Sequence, residues 1–133
     1  MHTEVFALCD AATDNAGKLN ILGSFDTLFT NATPAKHPAC AVAIRLRFIQ
    51  EEEGHHKIHL VIIDEDGGQV VPPLNGSIHV KVNPGYSTAS MNLIVNFQGL
   101  EIKRYGEHRV EFRVDDRVIA TLPLYVKKNA KPA

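Results

Sequence analysis

Histidines and clustered carboxylates are the side chains of this sequence best suited to chemistry. Seven histidines occur in 133 residues, three of them within His55-His56-Lys57-Ile58-His59. On a helix His55 and His59 would share one face, as the paired ligands of a metalloprotease motif do. Here Glu51-Glu52-Glu53-Gly54 reads as a turn and the following residues as a strand. His56 also stands where that motif has its glutamate. A catalytic zinc needs about three convergent ligands, so the run reads as a solvated loop. His59 and His79 are expected on the outward sides of neighbouring strands. If they meet, they make a two-imidazole transition-metal site without a third ligand.

Carboxylates cluster at Glu51-Glu52-Glu53, Asp64-Glu65-Asp66 and Asp115-Asp116. Calcium takes about six to eight oxygens from such loops, which makes Asp64, Asp66, Asp115 and Asp116 the candidate ligands. Antiparallel strands send alternate loops to opposite ends of a sandwich. If Val70–Pro73 forms a strand, the Asp64 turn shares an end with Asp115 and Asp116. If it does not, Glu51–Glu53 takes that place. Against calcium, the Asp-x-Asp-x-Asp-Gly spacing is missing, and Asp belongs in turns because its side chain caps local backbone.

Nucleophilic catalysis finds less support. The sequence has no Gly-x-Ser-x-Gly elbow, P-loop or Gly-x-Gly-x-x-Gly run. Cys40 lies near His37, but a thiol facing inward from a strand has its pKa raised. Cys9 falls in phase with Val5 and Ala7, and Cys40 with Val42 and Ile44, so both read as small inward-facing core residues. The remaining features suit contact. Arg45, Arg47, Glu111 and Arg113 project from outward faces. Ile94, Ile119 and Tyr125 stand on faces that otherwise read as exposed. If Ile119 and Tyr125 lie together, they form a patch suited to a second copy of the chain.

Strands must position all of these groups. Glu4–Asp10 and Lys18–Asp26 read as a hairpin joined at Asp14–Gly17. Over Ala39–Gln50, Val42, Ile44, Leu46 and Phe48 alternate with Ala43, Arg45 and Arg47, the period of a strand with one wet face. Lys57–Ile63 turns apolar after His59 and reads as a central strand. Val70-Val71-Pro72-Pro73 can only be a brief edge segment, since proline donates nothing to a ladder. Ile78, Val80 and Val82 point in, with His79 and Lys81 out. Met91, Leu93, Val95 and Phe97 alternate with Asn92, Ile94 and Asn96. Val110 to Val126 reads as a hairpin turning at Asp115-Asp116.

About seven to nine short strands separated by turn residues predict an all-β, antiparallel sandwich. A closed barrel is the rival, but Pro72, Pro73 and Pro123 suggest managed edges, which a barrel lacks. One domain is expected over 1–126, followed by a flexible basic tail over 127–133.

Composition narrows the partners. Fourteen basic against fifteen acidic residues leave no electrostatic footprint for nucleic acid or an anionic membrane. No stretch approaches the ~20 apolar residues of a spanning helix. The N-terminus has no basic region ahead of an apolar run, so a cytoplasmic location is the default expectation.

Ala7-Leu8-Cys9-Asp10 followed by Gly17-Lys18-Leu19-Asn20-Ile21-Leu22-Gly23 resembles a family of small uncharacterised bacterial proteins. The turn at Asp64–Gly67 and the hairpin at Gly106–Val126 fit the same resemblance. It implies an immunoglobulin-like sandwich from a bacterium and brings no activity with it. The expected function is a non-enzymatic binding or interaction module, a homodimer or a partner to another protein, with no cofactor. The alternative is a calcium- or zinc-binding protein, or a small hydrolytic enzyme using loop carboxylates and histidines.

Overall fold

The computed structural model describes residues 1–129. Nine strands follow in chain order: β1 (His2–Asn15), β2 (Lys18–Ser24), β3 (Thr27–Thr30), β4 (Ala35–Ile49), β5 (Gly54–Ile63), β6 (Leu74–Val80), β7 (Thr88–Ile102), β8 (Gly106–Val114) and β9 (Arg117–Lys128). A single 3-10 turn, Gln50–Glu52, joins β4 to β5. The strands make a four-stranded sheet, β2-β1-β4-β7, and a five-stranded sheet, β3-β9-β8-β5-β6. The chain crosses between the sheets after β2, β3, β4, β6 and β7. This is an immunoglobulin-like β-sandwich. One pairing departs from the expected antiparallel pattern: β3 runs parallel to β9, from Thr27 opposite Tyr125 to Thr30 opposite Lys128.

Alternation builds the interior. Val42, Ile44, Leu46 and Phe48 of β4 face Leu60 and Ile62 of β5, Val110, Phe112 and Val114 of β8, and Leu124 and Val126 of β9 in one apolar cluster. Each such side chain contributes about 1.5–3 kcal/mol by leaving water. Burying both faces of β5 around Leu60, Val61 and Ile62 matches its central place between β6 and β8.

A second, smaller core lies on the other side of the four-stranded sheet. Only the first part of β1, His2–Cys9, pairs with β4; from Cys9 to Asn15 it pairs with β2 alone. That free part of the hairpin curls across the outer face of the sheet. Its tip is held there: Asn92 Nδ2 donates to the Gly17 carbonyl (3.1 Å), and Arg45 Nη1 donates to the same oxygen (3.4 Å). Beneath it, Ala12, Leu19 and Ile94 pack on Cys9, Ala41 and Ala43. Cys9 is therefore buried on the face opposite the main core, whereas Cys40 lies in the main core. The small alanines on that face leave room for a covering layer.

Val70–Pro73 forms no strand; Gln69 makes an isolated bridge to Ile63. The Asp64 turn and the Asp115 turn consequently sit at opposite ends of β5 and β8, where Ile63 faces Arg109 and Ile58 faces Val114. Two residues of the flexible basic tail expected over 127–133 belong instead to β9. Lys127 and Lys128 pair with Phe29 and Thr30, and the Asn129 amide donates to the Thr30 carbonyl (3.1 Å). Residues 130–133 of that expected tail lie outside the described residues. Among the described residues, no helix is long and apolar enough to cross a membrane.

Candidate functional site

The outer face of the five-stranded sheet carries the best-formed site. On β8 the alternation Arg109, Glu111, Arg113 puts both cations and the carboxylate on one side. Glu111 Oε1 accepts from Arg113 Nε (2.7 Å), and Oε2 forms an ion pair with Arg109 Nη2 at 3.2 Å. The carboxylate is only 6% exposed, while Arg109 and Arg113 are about half exposed. Val61 of β5 and Thr121 of β9 flank Glu111 across the strands. The two long cationic side chains thus cover a charge that a sheet surface would normally leave in water.

Beside this triplet runs a groove of about 570 Å3, lined by Ile63, Glu65, Glu107, Arg109, Pro123 and Tyr125 among others. The Asp64–Gly68 turn forms its end wall. Asp64 Oδ1 accepts from the Gly68 amide (2.8 Å) and the Asp66 amide (2.9 Å). Arg104 pairs with Asp66 and lies 3.7 Å from Asp64. The Gly68 amide, then the Asp66 amide and the Arg104 charge, hold the Asp64 carboxyl below the usual range. Glu65 Oε1 accepts from the Glu107 amide (2.8 Å), pinning the turn to the start of β8. His108, 2% exposed, lies against the groove; its Nδ1 sits 3.2 Å from the Gly106 carbonyl, and its Nε2 has no partner among the described residues. Glu107 forms no ion pair among the described residues, so its carboxylate is free to meet a ligand.

Sequence reasoning placed other residues as sites, and the structure distributes them differently. His59 and His79 do not meet. His59 faces Asn75 and hydrogen-bonds it (2.7 Å), while His79 faces His55 with ring centroids 4.6 Å apart. Asp64 and Asp66 stabilise their own turn. Asp115 caps its neighbours: Oδ1 accepts from the Lys57 amide (2.9 Å), and Oδ2 accepts from His56 Nδ1 (2.6 Å). Asp116 occupies the β8–β9 turn beside it. Glu52, not Asp64, shares the Asp115 end; its carbonyl lies 2.6 Å from His56 Nε2. Among the described residues, no group of three or more His, Cys, Asp or Glu is placed to hold a metal.

The interface residues also separate. A register shift after Phe112 pairs Phe112 with Ala120 and Arg113 with Val118, leaving Ile119 as the extra residue. Ile119 turns in against the main core, so it cannot share a patch with Tyr125, which borders the groove. Ile94 is covered by the curled hairpin. Glu65, Glu107 and His108 went unread as a group, because only the fold brings the Asp64 turn beside β8. The Arg109-x-Glu111-x-Arg113 spacing did carry a visible signal.

Fold and site together define an immunoglobulin-like sandwich with a polar groove on one outer face. The chain belongs to a family of unknown function, DUF6941, whose model matches residues 4–127. No curated protein matches it. Among solved structures, it is similar to a glycosyl hydrolase family 2 (GH2) member from Bacteroides cellulosilyticus DSM 14838, with 11% identity and a TM-score of 0.45. That match covers 92% of this chain, which spans 15% of that protein's length.

Proposed function

We propose that this domain is a non-enzymatic binding module of the bacterial cytoplasm that receives a protein segment in the groove beside Glu111. The observation that carries the reading is the Arg109–Glu111–Arg113 triplet next to a preformed cleft. Its long side chains are already ordered by ion pairs, so a partner docking there loses little additional side-chain entropy. Glu107 supplies a carboxylate without a cation, while Pro123, Ile63 and Tyr125 supply apolar contact. The groove therefore suits an extended segment in which a basic side chain adjoins an apolar one.

Amide chemical-shift titration of the labelled protein with short peptides tests this. A basic–apolar peptide is expected to shift Glu107, Arg109, Thr121 and Tyr125 more than an acidic peptide does. Shifts confined to other surfaces, or none with either peptide, would sink the reading.

Metal binding is a second reading, favoured by one contact. His55 and His79 are exposed cross-strand neighbours whose rings lie 4.6 Å apart at 55°. Two imidazoles so placed can chelate a transition metal weakly, with water completing the shell. Elemental analysis of protein purified without chelator checks it, and protein free of stoichiometric metal counts against it.

A further inference from the structure

The sandwich has four sheet edges, and three are short. β2 and β6 are seven residues long and β3 is four. β7 is fifteen residues long and ends the four-stranded sheet with no strand beyond it among the described residues. Its inner side is ruled against β4 from Ile102 opposite Ala35 to Thr88 opposite Ile49, with no bulge. Proteins protect such edges with lysine, proline, a bulge or brevity. From Thr88 to Gln98, β7 has none of these: no charge, no proline and no glycine. A long, regular row of backbone donors and acceptors is left open to another strand.

The sequence of this edge says what fits it. About Ile94 it reads the same chemically in both directions: Leu93 and Val95, Asn92 and Asn96, Met91 and Phe97, Ser90 and Gln98. We propose that β7 pairs antiparallel with β7 of a second copy, about a two-fold axis at Ile94. Two four-stranded sheets then become one continuous sheet.

In that register Leu93 faces Val95 and Met91 faces Phe97 on the inner side. All four are only partly buried in the single chain and pack at the margin of the main core. Pairing extends that core across the axis and places the methionine sulfur near an aromatic ring, a favourable contact. On the outer side Asn92, its amide already bonded to Arg45, Asp14 and the Gly17 carbonyl, falls opposite the exposed Asn96. Glu101, the first charge along the strand, falls opposite Ser87, so no like charges meet. An unrelated strand would share the backbone pairing but not this side-by-side match. The proposal is independent of the groove on the other sheet.

Sedimentation equilibrium of the full chain tests it, with two double variants that read the register. Ser90 and Gln98 are exposed and lie on the outer side, so changing them leaves both cores intact. S90K/Q98K sets lysine against lysine twice per dimer and is expected to weaken dimerisation on the order of tenfold or more. S90K/Q98E sets lysine against glutamate in the same register and is expected to restore it. A chain monomeric up to its solubility limit overturns the proposal, as does a dimer indifferent to S90K/Q98K. A dimer weakened equally by both variants rules out the Ile94 register and overturns it too. Peptide binding in the groove stays measurable in every outcome, so failure here is distinct from failure of the groove reading.

Discussion

His56 has both ring nitrogens against oxygen acceptors, the Glu52 carbonyl and the Asp115 carboxylate, each at 2.6 Å. Only the doubly protonated imidazolium can donate to both. The Glu52 carbonyl foremost, then Asp115, raises the His56 pKa above its ordinary value, and His56 in turn lowers that of Asp115. The histidine contribution to stability is complete below its unfolded pKa near 6.5 and fades as pH rises through the raised folded value. The Asp115 contribution is complete above about 3.9 and fades as pH falls through its lowered value. Urea midpoints should therefore fall between about pH 5.5 and about pH 8.5, and His56→Gln should shrink that difference. An unchanged difference in the variant would show that His56 does not carry it. Glu111 calls for an asymmetric test. Glu111→Gln leaves two half-exposed arginines that water can solvate, a loss of about 1 kcal/mol. Replacing Arg109 and Arg113 together by Met strands a nearly buried carboxylate, a loss of about 3 kcal/mol. Urea denaturation of both variants checks the order; equal losses would mean that the arginines do not shield the carboxylate.

At the scale of elements, turn chemistry and alternation were legible, and register was not. The β1–β2 and β8–β9 hairpins turn on consecutive residues with positive φ, Ala16 (53°) with Gly17 (81°) and Asp115 (51°) with Asp116 (65°). Turns of that hand match the twist of the flanking strands. Ala16 is the misfit, since a Cβ in the left-handed region costs about 1–2 kcal/mol. Ala16→Asn, a residue that tolerates this backbone, is expected to stabilise the fold by about 0.5 kcal/mol. A lower thermal midpoint in that variant would contradict the assignment of strain. Period-two reading put Cys9 in phase with Ala7 correctly, but phase names the residues sharing a face and not the layer that covers it. Ile119 was misread because one extra residue in β9 flips the phase beyond it. His79 was matched to His59 and not His55 because the long connection after Ile63 fixes no register between β5 and β6. The groove stayed hidden for the same reason: it joins residues from β5, β8, β9 and the Asp64 turn, and no sequence period links them.

The whole molecule is two cores of unequal size sharing one sheet, and a cysteine reports on each. Burial pushes the Cys40 thiol up to about 11 and raises Cys9 as well. The thiolate is the reactive form, so both should resist thiol reagents in the native state. Their covers differ. Cys40 lies between the two sheets, and exposing it requires them to part. Cys9 lies beneath a hairpin whose outer part pairs with no third strand and whose tip is held through Arg45 and Asn92. Regions with few buried contacts open at a lower free energy than the global transition. Pulsed thiol labelling across a urea series, read by mass spectrometry, should modify Cys9 below the midpoint for Cys40. Asn92→Ala, which removes the bonds to Asp14 and Gly17, should speed labelling of Cys9 and leave Cys40 unaffected in native buffer. If both thiols become reactive together in every variant, the hairpin opens only when the sandwich does, and the outer core is an integral part of the main one.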